Sequence, residues 1–575
     1  MACREMVVRI AGEAGEGVIS TGELLTRAAS RACFNLLTFK TFPAEVRGGH
    51  AVFQLRISCT TVTTQGDGLD LLVAMNEDSF QRHNADLLPG AAVVFDSAVY
   101  TPATERTDLK LIGIPFQTLA RDKLEFELGK NVVAVGAIAE LLGLPTDQIA
   151  AMITKKFVKK GDVVVQKNLG GLALGAEYVR EHLASEQSLK MESPESKDRL
   201  MLATGNEAIG LGAMAYGLRH FFGYPITPAS EIMEFMALNL PKVGGAMIQA
   251  EDEIASITMA IGGSFAGVPT MTATSGPGLS LMVEALGLAT MVETPVVIVD
   301  VQRSGPSTGL PTKHEQSDLY IACFGGHGDA PRVVLAPLSV RDCFQQMITA
   351  FNIAEHLQLP VIVLSDQSMA VRTETIPRPV LSEVKRQGRV LWDGIKSPYR
   401  RFEVTESGIS PTAIPGTKGG EHVVSGLEQN DEGRPRYDGP THTAQTAKRF
   451  RKLDHVRDMV EAFVTFGDPA ADIGLLTWGS AAGEAAEAVS ILARKGVKVA
   501  GMALRLLSPL PLAEIIKFMN RRRVVVIAEG NYQGQLASLV EGRQRTKTRV
   551  TKLNAISGVP FSTSEMITAV EEAAR

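Results

Sequence analysis

The stretch from Gln249 to Leu310 restricts the fold of this chain more than any other. Two short β-branched runs, Thr270 to Thr274 and Val296 to Val301, each stop at a loop of small and polar residues. The first runs into Ser275-Gly276-Pro277-Gly278, the second into Gln302-Arg303-Ser304-Gly305-Pro306. An acidic cluster, Glu251-Asp252-Glu253, precedes Ile254, Ile257, Ile261 and Phe265, whose spacing predicts a helix with a buried face. Strands ending in flexible polar loops, with a carboxylate at a helix start, are what a ligand cleft in an open α/β sheet requires. Glu253 in the first turn has two readings: a charge that suits the helix dipole, or an acid facing a ligand.

Size and composition bound the rest. A chain of 575 residues exceeds one hydrophobic core, so three or four domains are expected. The formal net charge of -5 is small for this length and gives no reason to expect nucleic acid as a partner. Cys3, Cys33, Cys59, Cys323 and Cys343 show no C-x-x-C spacing and no histidine that completes a metal pattern. Such scattered thiols suit a reducing cytoplasm, mostly as small buried hydrophobes. The start has no signal-peptide core, and no apolar run reaches the roughly 18 residues that span a bilayer, so a cytoplasmic protein off the membrane is expected.

In chain order, residues 1–185 read as one α/β domain. A strand from Met6 to Ala11 runs into Gly12-Glu13-Ala14-Gly15-Glu16-Gly17 and a helix from about Val18. This is either an anion site at a helix start or a tight turn packed in the core. Arg47 before Gly48-Gly49 can hold an anion or form a surface ion pair. Gly66-Asp67-Gly68 with Asn76 superficially matches a magnesium-pyrophosphate motif, but the interval is too short for the intervening helix, and it is set aside. Residues 186–199 are a polar linker.

Residues 200–396 form the second domain. Its first helix is expected from Gly205 to Phe222, ended by Gly223. Thr227 lies between Pro225 and Pro228, either as a rigidly held hydroxyl for a substrate oxygen or as a plain turn before the next helix. The polar segment Thr312 to Asp318 offers acid–base or anion-binding groups, or is a solvated loop. Residues 397–455 lack periodicity and read as an extended connection. A third α/β alternation fills 456–575.

The motifs together resemble a known family. Tyr224-Pro225-Ile226-Thr227-Pro228, Glu251-Asp252-Glu253, Thr274 to Gly278 and Gln302 to Gly309 occur in the order and spacing of the α subunit of 2-oxoacid:ferredoxin oxidoreductases. The Gly12-to-Gly17 loop and Glu45-Val46-Arg47-Gly48-Gly49 resemble that family's γ subunit, fused in front, and the C-terminal region resembles its transketolase-C-like domain. The resemblance implies a γ-like domain, a thiamine diphosphate (TPP) pyrimidine-binding domain and a transketolase-C-terminal-like domain. It implies that Glu253, with Glu251 as fallback, hydrogen-bonds the aminopyrimidine ring of TPP, and that Thr274, Gly276 and Gly278 line the cofactor. Thr227 and Arg303 match positions that bind the 2-oxoacid carboxylate; Gly15, Gly17 and Arg47 are the candidate coenzyme A (CoA) contacts.

A separate β subunit carrying the pyrophosphate and Mg2+ site and [4Fe-4S] clusters is implied, in an (αβ)2 assembly with ferredoxin as electron partner. The implied reaction oxidatively decarboxylates 2-oxoglutarate to succinyl-CoA and CO2, the substrate choice following from the γ–α fusion. Pyruvate or a broader range of 2-oxoacids is the alternative within that class. A non-catalytic scaffold subunit is the alternative outside it.

Overall fold

The computed structural model describes residues 5–41, 43, 49–126, 129–184, 186–195, 200–395, 398–543 and 547–575. The chain divides into two compact units, Met1–Ala203 with Arg372–Arg378, and Thr204–Val371 with Pro379–Arg575.

The first unit is built on a mixed sheet. Its strands run in the order Lys110–Ile114, Leu87–Asp96, Leu69–Ala74, Met6–Glu13, His50–Ser58, Asn35–Thr41, Thr373–Ile376, Met201–Thr204. Met6–Glu13 pairs parallel with Leu69–Ala74 and antiparallel with His50–Ser58. Thr373–Ile376 comes from far along the chain, and the Thr375 hydroxyl accepts the Leu36 amide at 2.9 Å. Nothing local in the sequence announces that strand. The helices Lys130–Leu142 and Asp162–His182 meet backbone to backbone: a Cβ on Gly136 would lie 2.1 Å from the Leu172 carbonyl, and one on Gly175 2.0 Å from that of Val133. Glycine is required at both positions by that approach. Cys33, Cys323 and Cys343 are free thiols, whereas Cys59 is disulfide-bonded, a departure from the expectation of unpaired thiols.

The second unit holds two sheets. The larger runs Leu506–Ser508, Val333–Leu335, Pro360–Asp366, Val296–Gln302, Thr270–Thr274, His220–Gly223, Ala246–Gln249. All its strands are parallel except the edge strand Leu506–Ser508, which arrives from the C-terminal region. In the smaller sheet Phe463–Gly467 is antiparallel, and Ala500–Leu504, Ile473–Trp478, Val524–Glu529 and Arg549–Asn554 are parallel. Ile298, Leu364, Trp478, Leu504 and Ile527 belong to one continuous core, so the two sheets fold as one body.

One expected helix is shorter than its pattern suggested. It spans Gly205–Tyr216 and stops at Gly217, whose φ of 123° belongs to glycine. His220–Gly223 is instead a strand between two parallel neighbours, because an apolar run of this length suits a strand buried on both faces. The stretch 398–455 contains a helix, Gly439–Arg451, capped by Asp438. Its buried residues are Gln445, Lys448 and Arg449, so it carries no apolar period to read. Among the described residues no helix is long and apolar enough to cross a membrane.

Candidate active site

The acidic cluster divides its labour. Asp252 is the N-cap of the helix Glu253–Phe265 and accepts the Ala255 amide at 2.7 Å. Terminal capping therefore falls to Asp252, while Glu251 is exposed and Glu253 is buried with 6% of its surface accessible. Glu253 meets the start of the next helix, Gly276–Met291. A Cβ on Gly278 would lie 2.6 Å from Glu253 Oε1 and 2.0 Å from Thr274 Oγ1, so only glycine lets this turn close on both side chains. The hydroxyls of Thr272 and Ser275, buried in the same segment, have no hydrogen-bond partner among the described residues.

On the other side of the turn, a Cβ on Gly276 would lie 2.7 Å and 3.0 Å from the two carboxylate oxygens of Asp318. Asp318 faces Asp300, which is fully buried in strand register with Thr274 and, among the described residues, has no donor to either oxygen. Burial and the nearby Asp318 charge push the Asp300 carboxyl far above the usual carboxylate range. Burial and Glu315 raise Asp318 to about 6, against a hydrogen bond from Asp300 and the charge of Arg303. Two facing carboxyls in this setting resist ionising together, and the deeper burial of Asp300 makes it the more reluctant of the two.

Arg303 leaves the end of the strand Val296–Gln302 and is itself buried. Its Nη1 donates to the Thr227 carbonyl at 2.7 Å, while its Nε has no partner among the described residues. Burial lowers the guanidinium and the charge of Asp318 supports it. Thr227 is exposed, and its peptide bond to Pro228 is cis. Gln302 braces the arrangement: Nε2 donates to the Ser365 carbonyl at 2.9 Å, and Oε1 accepts the Asp318 amide at 3.1 Å. The segment from Lys313 to Asp318 is no solvated loop. The His314 amide donates to the Gly558 carbonyl at 3.0 Å and the Gln316 amide to that of Gly530 at 2.6 Å. Loops that follow strands of the smaller sheet thus hold this segment in place.

Glu253, Thr274, Gly276, Gly278, Arg303 and Thr227 are therefore brought to one end of one sheet, where open α/β sheets place ligands. Asp300 was not anticipated as a site residue. The available signal was an acid inside an otherwise apolar central strand, where every position is buried. A surface cavity of about 890 Å3 lined by Phe450, Arg457 and Glu514 shares no residue with this cluster.

In the first unit, the glycine loop closes on its own acid. Glu16 Oε2 accepts the Glu13 amide at 2.8 Å and the Asn76 side chain at 3.0 Å, and Lys130 lies 3.6 Å from its other oxygen. Gly15 and Gly17 adopt φ of 103° and 81°. A Cβ on Gly15 meets open space, whereas one on Gly17 would strike the Asn131 amide at 2.2 Å. Arg47 lies outside the described residues. Asn76 caps the helix Glu77–His83 by accepting the Ser79 amide at 2.9 Å, a structural role in keeping with setting aside the Gly-Asp-Gly match.

Comparison with known proteins decides the family. A model of the thiamine-diphosphate-binding region of pyruvate flavodoxin/ferredoxin oxidoreductases matches residues 211–448. A pyruvate ferredoxin/flavodoxin oxidoreductase model matches 7–178, and one for core domain II of pyruvate:ferredoxin oxidoreductase matches 471–566. The chain is 30% identical to 2-oxoacid:ferredoxin oxidoreductase 2, subunit alpha, of Aeropyrum pernix, over 98% of this chain and 96% of that one. It belongs to the 2-oxoacid:ferredoxin oxidoreductases. With 2-oxoglutarate oxidoreductase subunit KorA of Mycobacterium tuberculosis it shares 34% identity over 98% of this chain and 90% of the relative. A solved 2-oxoglutarate:ferredoxin oxidoreductase from Magnetococcus marinus, with 2-oxoglutarate, CoA and succinyl-CoA bound, superposes with a TM-score of 0.94 at 40% identity, each chain covered in full.

Members of this family depend on thiamine diphosphate, and the chain holds a domain of the kind that binds it. The residues present fit the group: a buried acid, two buried hydroxyls without protein partners and a glycine turn closed against them. Bound there, the cofactor supplies the electron sink for decarboxylating a 2-oxoacid.

Proposed function

We propose that this chain is the α-type subunit of a 2-oxoglutarate:ferredoxin oxidoreductase. With CoA and oxidised ferredoxin, the assembled enzyme converts 2-oxoglutarate to succinyl-CoA, CO2 and reduced ferredoxin, in a reaction open to reversal. The observation that carries this reading is the convergence of the buried Glu253 with a guanidinium, Arg303, at one end of the parallel sheet. In this reading Glu253 holds a proton toward the aminopyrimidine ring, helped by Thr274 and the turn at Gly276 and Gly278. Arg303 and the Thr227 hydroxyl orient the carboxylate that leaves as CO2. Support for 2-oxoglutarate comes from the named substrate of the M. marinus and M. tuberculosis relatives. Pyruvate is the second reading, favoured by the pyruvate descriptions of all three family models.

A separate β subunit completes the site in this proposal, with the pyrophosphate and Mg2+ site and the iron–sulfur clusters. Apolar side chains on the helices and loops that carry the site support it: Tyr224 is 39%, Ile254 49%, Leu281 50% and Leu310 55% exposed. The relatives' designation as alpha subunits agrees. The domain division follows the same reading: 1–185 for CoA access through Gly15, Gly17 and Arg47, 200–396 for the pyrimidine side of TPP, and 456–575 as the supporting C-terminal domain. In this reading the enzyme works in the cytoplasm, with ferredoxin as its electron acceptor.

Rates measured on the complex co-purified with its partner subunit, using 2-oxoglutarate, pyruvate and branched 2-oxoacids, test the substrate. A preference for pyruvate sinks that choice. Turnover by this chain alone with TPP, CoA and ferredoxin sinks the two-subunit assignment.

A further inference from the structure

The chain leaving the strand Val296–Gln302 runs through an exposed tip at 305–310 and returns as the segment His314 to Tyr320. Asp318 in that segment is seated against Gly276, where a Cβ would lie 2.7 Å from its Oδ2. Gly276 opens the helix Gly276–Met291, and two residues on, Gly278 closes on Glu253 and Thr274. Whatever fixes the main chain around Asp318 therefore also bears on the turn that packs against Glu253.

One side chain from the C-terminal region holds that main chain on both sides of Asp318. Gln535 is buried at the start of the helix Gln535–Arg543. Its Nε2 donates to the Ser317 carbonyl at 2.7 Å, and its Oε1 accepts the Tyr320 amide at 3.1 Å. Donor and acceptor together stand in for the bonds that a neighbouring strand would make to this stretch. From the larger sheet, Gln302 Oε1 accepts the Asp318 amide at 3.1 Å. Gln535 is fixed in turn. The buried Asn531 accepts the Gly534 and Gln535 amides at 2.8 Å and 3.1 Å, and donates to the Gln316 carbonyl at 3.1 Å. Glu529, fully buried at the end of its strand, accepts the Asn531 side chain at 2.8 Å and the Leu536 and Ala537 amides at 2.8 Å and 3.0 Å. The free amides of this helix start are thus satisfied from within, and they lock the residue that grips the site segment.

We propose that Gln535 is a positioning residue for the cofactor: its amide group fixes Ser317 to Tyr320, so that Asp318 seats Gly276 and the turn to Gly278 keeps Glu253 in place for the aminopyrimidine ring. The inference rests on Glu253 being the acid that meets TPP. A clamp that served the fold alone would be indifferent to the cofactor. A positioning clamp is not, because binding at the turn then tightens the clamp by as much as the clamp tightens binding.

The test uses the assembled complex and two readouts: calorimetric Kd for TPP after cofactor removal, and kcat with KM for 2-oxoglutarate. Gln535→Met keeps the length of the side chain and removes both hydrogen bonds. It is expected to weaken TPP binding about tenfold and lower kcat about 10- to 100-fold, with KM for 2-oxoglutarate changed by less than about twofold. Combined with Glu253→Gln, it causes no further loss beyond that of Glu253→Gln alone, because the acid that the clamp serves is already gone. Losses that multiply in the double variant, or wild-type TPP Kd and kcat in Gln535→Met, overturn the proposal. Should Gln535→Met fail to assemble, hydrogen–deuterium exchange on the wild-type complex decides. TPP is expected to slow exchange at Ser317 to Tyr320 and, through Gln535, at Leu536 and Ala537; exchange indifferent to TPP overturns the proposal equally. Glu253→Gln separates the two levels. Unchanged TPP Kd and turnover in that variant remove the cofactor reading and the inference together, whereas impaired turnover there beside an unaffected Gln535→Met removes the inference alone.

Discussion

The strand Val296–Gln302 has a buried carboxylate near each end, in opposite surroundings. Before its start, Glu293 meets Lys448 Nζ at 2.7 Å and Lys452 Nζ at 2.6 Å, and Arg401 donates to its carbonyl at 2.7 Å. Burial alone would raise Glu293, but Lys448, Lys452 and Arg401 hold it well below the usual carboxylate range. Towards the other end, Asp300 has no cation beside it among the described residues and faces a second acid. The first arrangement ties the connecting arm to the sheet. The second leaves two acids together without a cation beside Asp300, which folding alone disfavours and which fits the functional site proposed here. Within one strand, compensation separates architecture from chemistry.

Removing the acid proposed to serve the chemistry should have the largest effect. Glu253→Gln in the assembled complex is expected to reduce turnover by about 10²- to 10⁴-fold with little change in the unfolding temperature. Unchanged turnover would favour a scaffold role for the chain.

Glu293→Ala should do the opposite. It leaves Lys448, Lys452 and Arg401 buried without their anion and is expected to cost about 3–5 kcal/mol of stability, read by denaturant unfolding. A stable variant would break the structural half of the comparison.

The two ends also answer pH with opposite signs. Glu293 has a depressed folded pKa, so its contribution is present above its ordinary value of 4.5 and is lost as the pH falls. Asp318 is raised from 3.8 to about 6, so its contribution is present below 3.8 and is lost as the pH rises through about 6. Thermal unfolding across this range should show the deficit of Glu293→Gln and the gain of Asp318→Asn both growing with pH. Parallel curves for wild type and both variants would contradict the assignment.

The smallest effect is the one that sharpens the contrast most. Asp318→Asn should raise stability at neutral pH by on the order of 1 kcal/mol, discounted because Asp318 keeps part of its surface in water. Site residues that oppose folding are expected to gain stability when neutralised, and structural ones to lose it.

Much of this was legible before any coordinates. The strand end at Thr274, the second strand to within one residue of its end at Gln302, the helix after Gly276 and the acid at Glu253 all follow from local pattern. The helix Gly439–Arg451 was not legible, because its buried face is polar. The stop at Gly217 was missed because the apolar residues beyond it fit either a helix or a buried strand. At the site, sequence left Glu253 between a terminal charge and a ligand-facing acid; the structure gives the capping to Asp252 and buries Glu253, which supports the ligand-facing role proposed for it.

By itself, then, the sequence determined the α/β alternation, the loops that end the site strands and the identity of the acid and guanidinium they present. Those features depend on residues within a few positions of one another, through helix periodicity, glycine turns and capping. Tertiary structure decided which acid caps and which is buried, that Asp318 closes on Asp300, and that Glu293 is held by lysines about 150 residues further along, at Lys448 and Lys452. Burial and charge pairing between distant segments set the protonation of these groups, and no local pattern encodes which segments will meet.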